Sequence, residues 1–184
     1  MNQDCIQRNY PEISFGDVFW ITGLPGAGKT TLSKCLYAIL KKEKSNVVLL
    51  DGDRLRQILD KVNAYSLEER RSLSLQYGKL CQLLSSQGVD VICATVSMFH
   101  ECREWNRSNI PYYYEVYLRL SMGELNKRDQ KGLYTGFQKK KNSNMIGLDL
   151  PFEEPIKPDL IFEHLDENLL IEACYQILNK RKSK

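Results

Sequence analysis

Gly23-Leu24-Pro25-Gly26-Ala27-Gly28-Lys29-Thr30 is the segment that most narrows what this chain can fold into. A short apolar run, residues 18–22, precedes it, and Leu32, Cys35, Leu36, Ile39 and Leu40 recur after it at helical spacing. A G-x-x-x-x-G-K-[ST] run between a strand and a helix is a phosphate cradle. Phosphate oxygens need several donors from one short loop. Glycines let the backbone approach closely, the helix N-terminus adds positive potential, and Lys29 reaches the outer phosphates. Thr30 supplies a hydroxyl for magnesium.

That loop belongs in an α/β fold, and the rest of the chain keeps the rhythm. Short apolar runs at 18–22, 47–50, 89–96, 114–120 and 160–162 alternate with amphipathic stretches, as buried parallel strands and their crossover helices do. Ser66 with Glu69 and Ser121 with Glu124 fit the S-x-x-E capping box and mark helix starts before Leu67 and Met122. A last helix is expected from near Asp166, with Leu169, Leu170, Ala173, Cys174, Ile177 and Leu178 on its docking face. Residues 134–150 are polar, lysine-rich and aperiodic, and read as a mobile loop over the site. The expected architecture is a P-loop NTPase-type three-layer α/β/α domain with a central parallel sheet and a mobile lid. It spans residues 16–184, with 1–15 as an N-terminal extension.

With 184 residues, 42% of them apolar, one core stands without disulfides or structural metal. The six cysteines form no C-x-x-C pair and read as reduced thiols. The first strongly apolar run is too short for a signal peptide or membrane span, so a cytoplasmic enzyme is expected, with no membrane partner. The net charge of +3 comes largely from Lys139-Lys140-Lys141 and the C-terminal tail, a pattern of solvated ends and not of a nucleic-acid patch.

Four apolar residues and then Asp51 have the shape of a Walker B strand, which aims that carboxylate at the nucleotide and its magnesium. Asp53, Arg54 and Arg56 follow at the sheet's carboxyl edge, where such folds bind ligands. A second set of cations, Lys127, Arg128 and Lys131, arrives beside the expected lid, where it can neutralise transferring phosphates and exclude water. His100 and His164 fit no metal spacing. These residues describe a kinase that takes ATP and Mg2+ and phosphorylates a small molecule. A shikimate- or gluconate-type kinase and a degenerate nucleotide-binding regulator stand beside that reading.

Residues 18–162 resemble the adenylylsulfate kinase family. Gly23 to Thr31 matches its phosphate loop, Asp51-Gly52-Asp53 with Arg56 its D-G-D-x-x-R, and Arg128-Asp129-Gln130-Lys131-Gly132-Leu133-Tyr134 its R-D-P-K-G-L-Y save for Gln130. Gly147, Asp149, Pro151, Phe152 and Pro155 echo its G-I-D-x-P-Y-E-x-P. The resemblance implies transfer from MgATP to the 3′-hydroxyl of adenosine 5′-phosphosulfate, a step of sulfate assimilation. Asp53, Arg56, Arg70 and Ser97 would face the acceptor nucleotide, Lys131 its phosphates, and Arg128 and Thr31 the ATP.

Departures from the family fall on the acceptor side. Leu73, Leu75 and Gln76 stand where the family has an asparagine and two arginines. Tyr65 and Met145 occupy the places of the aromatics that hold the adenine, with Ile146 replacing a lid threonine. The stretch Trp105-Asn106-Arg107-Ser108-Asn109-Ile110 is similar to relatives found with bacterial capsule genes, cytidine diphosphoramidate kinase among them. The partner expected is thus a small-molecule nucleotide, with a homodimer left open.

Overall fold

Every residue of VFWITG, Val18–Gly23, is buried, as the middle strand of a sheet covered on both faces must be. In the computed structural model, which describes residues 14–60, 66–128 and 150–182, this strand is β1. It is followed by α1 (Lys29–Glu43), β2 (Val47–Asp51), α2 (Gly52–Ile58), α3 (Leu67–Ser85) and β3 (Asp90–Ala94). Then come α4 (His100–Asn109), β4 (Tyr113–Leu118), α5 (Met122–Arg128), β5 (Leu160–Phe162) and α6 (Leu170–Lys182). The strands form one sheet in the order β2-β3-β1-β4-β5, every pairing parallel. With α1 packed on α6 and α3 on α4, helices cover the sheet in two layers, and the three-layer α/β/α expectation holds.

The expected elements are present with shifted ends. The strand read as 89–96 is confined to Asp90–Ala94, because Val89 still bonds Leu84 O in the turn that closes α3. The strand read as 114–120 begins at Tyr113 and ends at Leu118. Both capping boxes form: Ser66 and Glu69 exchange hydrogen bonds at α3, and Ser121 and Glu124 at the start of α5. The last helix starts at Leu170 and not near Asp166, whose carboxylate accepts from the Asn168 and Leu169 amides in the preceding turn. The expected extension, residues 1–15, lies outside the described residues apart from Ser14 and Phe15. The expected lid, 134–150, lies outside them apart from Leu150.

A buried ionic network fastens α4 to the far half of the sheet. Glu115 of β4 meets Arg103 Nε at 3.3 Å and Arg107 Nη2 at 2.9 Å, and Arg107 also reaches Asp159 at 3.1 Å. Arg103 and Glu115 are 4% and 2% exposed, so the buried guanidinium of Arg103 depends on Glu115 for its ionic partner. Beside them Asn106 presses on α3 so closely that a Cβ at Gly78 would stand 2.2 Å from its Oδ1. The Trp105-Asn106-Arg107 stretch therefore packs α4 in place, away from the sheet's carboxyl edge.

Candidate active site

In an all-parallel sheet the carboxyl ends of all strands share one edge, and here that edge gathers the polar residues. β1 ends at Gly23 and hands the chain to the glycine loop, where Gly28 caps α1 at φ 99°, a left-handed conformation that favours glycine. No side chain caps α1 and its first turn holds no acid, so its positive end faces the loop uncompensated. The Lys29 ammonium donates to Leu24 O across the loop at 2.8 Å. Ala27 is buried beneath, and Gly26, Thr30 and Thr31 are exposed on the open side.

Asp51 ends β2, an edge strand separated from β1 by β3, yet its Oδ2 accepts from Thr30 Oγ1 at 3.1 Å. Its other oxygen accepts from the Asp53 and Arg54 amides, at 2.9 and 3.4 Å, and so starts α2. One carboxylate thus joins the loop to the helix that carries Asp53 and Arg56. Thr30 and Asp51 present two hard oxygen donors side by side, a set that suits Mg2+, which takes few protein ligands and fills its shell with water and phosphate oxygens. Among the described residues no group of three or more His, Cys, Asp or Glu side chains is arranged to hold a metal.

On α2, Asp53 and Arg56 form an ion pair one turn apart, with the Asp53 carboxylate 54% exposed. Gly52 sits close against the end of β3; a Cβ there would stand 3.2 Å from both Ala94 O and Thr95 Oγ1. Thr95 in turn shares a 2.7 Å hydrogen bond with Ser97, which is nearly buried. From below, Tyr77 of α3 donates to Gly52 O at 3.3 Å. Burial pushes the Tyr77 hydroxyl up to about 12, with Arg56 opposing and Asp53 and Asp51 among the groups that add to it. Arg70 lies two turns before Tyr77 on the same helix. The expected acceptor-side residues Asp53, Arg56 and Ser97 therefore border one rim, with Tyr77 and Thr95 holding it from beneath.

Arg128, at the end of α5, sits on the other side. Its Nη1 is 3.8 Å from where a Gly28 Cβ would be, and its Nη2 donates to Leu165 O at 2.8 Å. Lys131, Tyr65 and Met145 lie outside the described residues. Leu73 is 4% exposed and part of the core, whereas Leu75 is half-buried and Gln76 exposed. The Leu73 side chain thus serves packing, and any effect it has on the acceptor passes through the shape of α3. Tyr77 and Thr95 were not singled out from the sequence. The signal available for Tyr77 was its two-turn spacing from Arg70 on the face of α3 that also carries Leu73, Ser74 and Cys81.

Residues 15–163 match the family model for adenylylsulphate kinase. The chain belongs to the adenylylsulphate kinase family. It is 41% identical over 163 residues to the cytidine diphosphoramidate kinase of Campylobacter jejuni, covering 89% of this chain and 95% of the relative. It is 35% identical over 187 residues to the adenylyl-sulfate kinase of Thermodesulfovibrio yellowstonii, covering 100% of this chain and 92% of the relative. Among solved structures, the Mycobacterium tuberculosis APS kinase in complex with AMPPNP and APS superposes with a TM-score of 0.82 at 25% identity, over 92% of this chain and 99% of the other. Like its adenylylsulphate kinase relatives, this chain is an ATP-dependent kinase, and the shikimate- or gluconate-type reading falls away. Among the described residues no helix is long and apolar enough to cross a membrane.

Proposed function

We propose that this kinase moves the γ-phosphate of MgATP onto the 3′-hydroxyl of a nucleotide conjugate, and that it prefers cytidine diphosphoramidate to adenosine 5′-phosphosulfate. The observation that carries the preference is the 41% identity to a cytidine diphosphoramidate kinase over nearly its whole length, against 35% to an adenylyl-sulfate kinase. The substitutions Leu75 and Gln76 support it, since they remove two guanidinium groups from the helix beside the acceptor rim. The same reading takes the enzyme as cytoplasmic, acting in capsule biosynthesis on a small molecule, with residues 1–15 outside the kinase domain and a homodimer left open.

Phosphoryl transfer asks a protein for positioning and for charge that meets the transferring group. Lys29 and the amides of the glycine loop hold the outer phosphates, and Arg128 holds the donor from the α5 side. Thr30 and Asp51 would hold magnesium, which would supply positive charge to offset that of the phosphates. Arg56 and Arg70 bind the acceptor, and Asp53 orients its hydroxyl or takes its proton. Lys131 adds a cation at the acceptor phosphates, and Tyr65 and Met145 enclose its base.

Asp53→Asn is expected to lower turnover about 100-fold or more, in the range of lost general-base catalysis, while ATP affinity stays within about twofold. Single-turnover rates and an ATP titration check this; an equal loss in both measurements assigns Asp53 to the donor side. For the acceptor, kcat/KM is measured for cytidine diphosphoramidate and for adenosine 5′-phosphosulfate. The expected result is a higher value for the cytidine conjugate. A preference of about tenfold for adenosine 5′-phosphosulfate, some 1.4 kcal/mol, restores the activity of the adenylyl-sulfate kinases.

A further inference from the structure

Residues 153–154, just beyond the lid segment, are clipped to the turn that carries Ser97, and one side chain makes the clip two-sided. The Glu153 amide donates to Met98 O at 3.1 Å, and the Glu153 carboxylate accepts from the His100 amide at the start of α4. Phe99, which caps that helix, makes no side-chain cap bond of its own, so Glu153 supplies the cap from 53 residues away. Beneath, Arg103 Nη2 donates to Glu153 O at 2.8 Å and Glu154 O at 3.3 Å, and also meets His100 Nδ1 at 2.8 Å. Met98 and Phe99 are buried, so the turn has little freedom except at its link to α4. Arg71 adds distant ionic contacts, 3.9 Å to Glu153 and 3.8 Å to Glu101, and lies over the Phe99 ring at 5.7 Å.

We infer that Glu153 is a positioning residue for the acceptor: by capping α4 it fixes the Ser97–Met98–Phe99 turn, and with it the Ser97 hydroxyl on the acceptor rim. The inference rests on the reading that Ser97 faces the acceptor. Glu153 is not assigned to the donor side, where Arg128 meets the glycine loop. Its loss should therefore separate the two substrates, which a merely structural role would not do.

The test is steady-state kinetics on the full chain, varying ATP and, separately, whichever of cytidine diphosphoramidate or adenosine 5′-phosphosulfate the wild type phosphorylates. Glu153→Ala should raise the acceptor KM about tenfold and leave the ATP KM within about twofold. Glu153→Gln, whose amide oxygen still accepts from the His100 N–H, should restore most of the acceptor KM. Glu101→Ala, which removes the exposed 3.8 Å pair with Arg71, should behave as wild type. Where Glu153→Ala fails to fold, Glu153→Asp, which withdraws the carboxylate from His100, should show the same asymmetry in smaller degree. A joint rise in both KM values, or no change in either, overturns the inference while leaving the function in place. A wild type inactive on both acceptors overturns the functional reading and the inference with it.

Discussion

Lys29→Ala is expected to lower turnover at least about 100-fold, on the scale of removing one preorganised charge-stabilising donor, with the thermal midpoint nearly unchanged. The ammonium is half-buried at an open loop and its described bond is to Leu24 O, so it contributes charge where phosphates bind and little to the core. Buried apolar residues on either side, Ile21 in β1 and Leu32 in α1, hold the loop without it. Single-turnover transfer from labelled ATP, paired with a thermal melt, gives both numbers. A folded variant with near wild-type turnover contradicts the assignment of the loop.

Glu115→Ala is expected to be the most damaging single change to stability, by about 3 kcal/mol or more, with a fall in the midpoint on the order of 10 °C. The physical reason is the buried Arg103, whose Nε–Glu115 contact at 3.3 Å is its ionic partner in the described network. Arg107 retains Asp159 and partial exposure, so its share of the loss is smaller. Burial pushes the Glu115 carboxyl above its ordinary range, with Arg103 and Arg107 pulling it back. A raised folded-state value means the native protein holds this proton more tightly than the unfolded chain does. The stability tied to Glu115 is then full below the ordinary glutamate range and declines as pH rises through the window above it. Melts of wild type and Glu115→Gln across mildly acidic pH check the sign: the wild-type curve should lose relative stability as the pH rises, and the amide should remove that slope.

The two networks differ in how plainly they were written in the chain. The glycine loop is local: eight consecutive residues between a strand and a helix fix its geometry, so its place at the sheet edge could be read directly. Buried parallel strands were legible for a related reason, because burial on both faces makes them continuous apolar runs, and only their ends moved. The helix α2 was not read, since it spans only Gly52–Ile58 and its cap is Asp51, a residue already taken for the metal. The start of α6 was placed too early because Asp166 closes a turn that precedes the helix. Leu73 was read as an altered acceptor contact, and the fold places it in the core. Glu153 with His100, and Arg103 with Glu115, join residues far apart in sequence or on different elements. No local spacing announces such pairs, and their partners become visible only when the sheet brings α4 and the residues before β5 together.

The central claim is that phosphate moves from ATP to the 3′-hydroxyl of a nucleotide conjugate. Phosphorus NMR of a completed reaction containing ATP, Mg2+ and cytidine diphosphoramidate tests it most directly. The account predicts a new phosphomonoester resonance coupled to the ribose H3′, appearing in step with ADP and leaving the diphosphoramidate intact. ADP formed with the cytidine conjugate unchanged, or a phosphate carried at any other position, contradicts it.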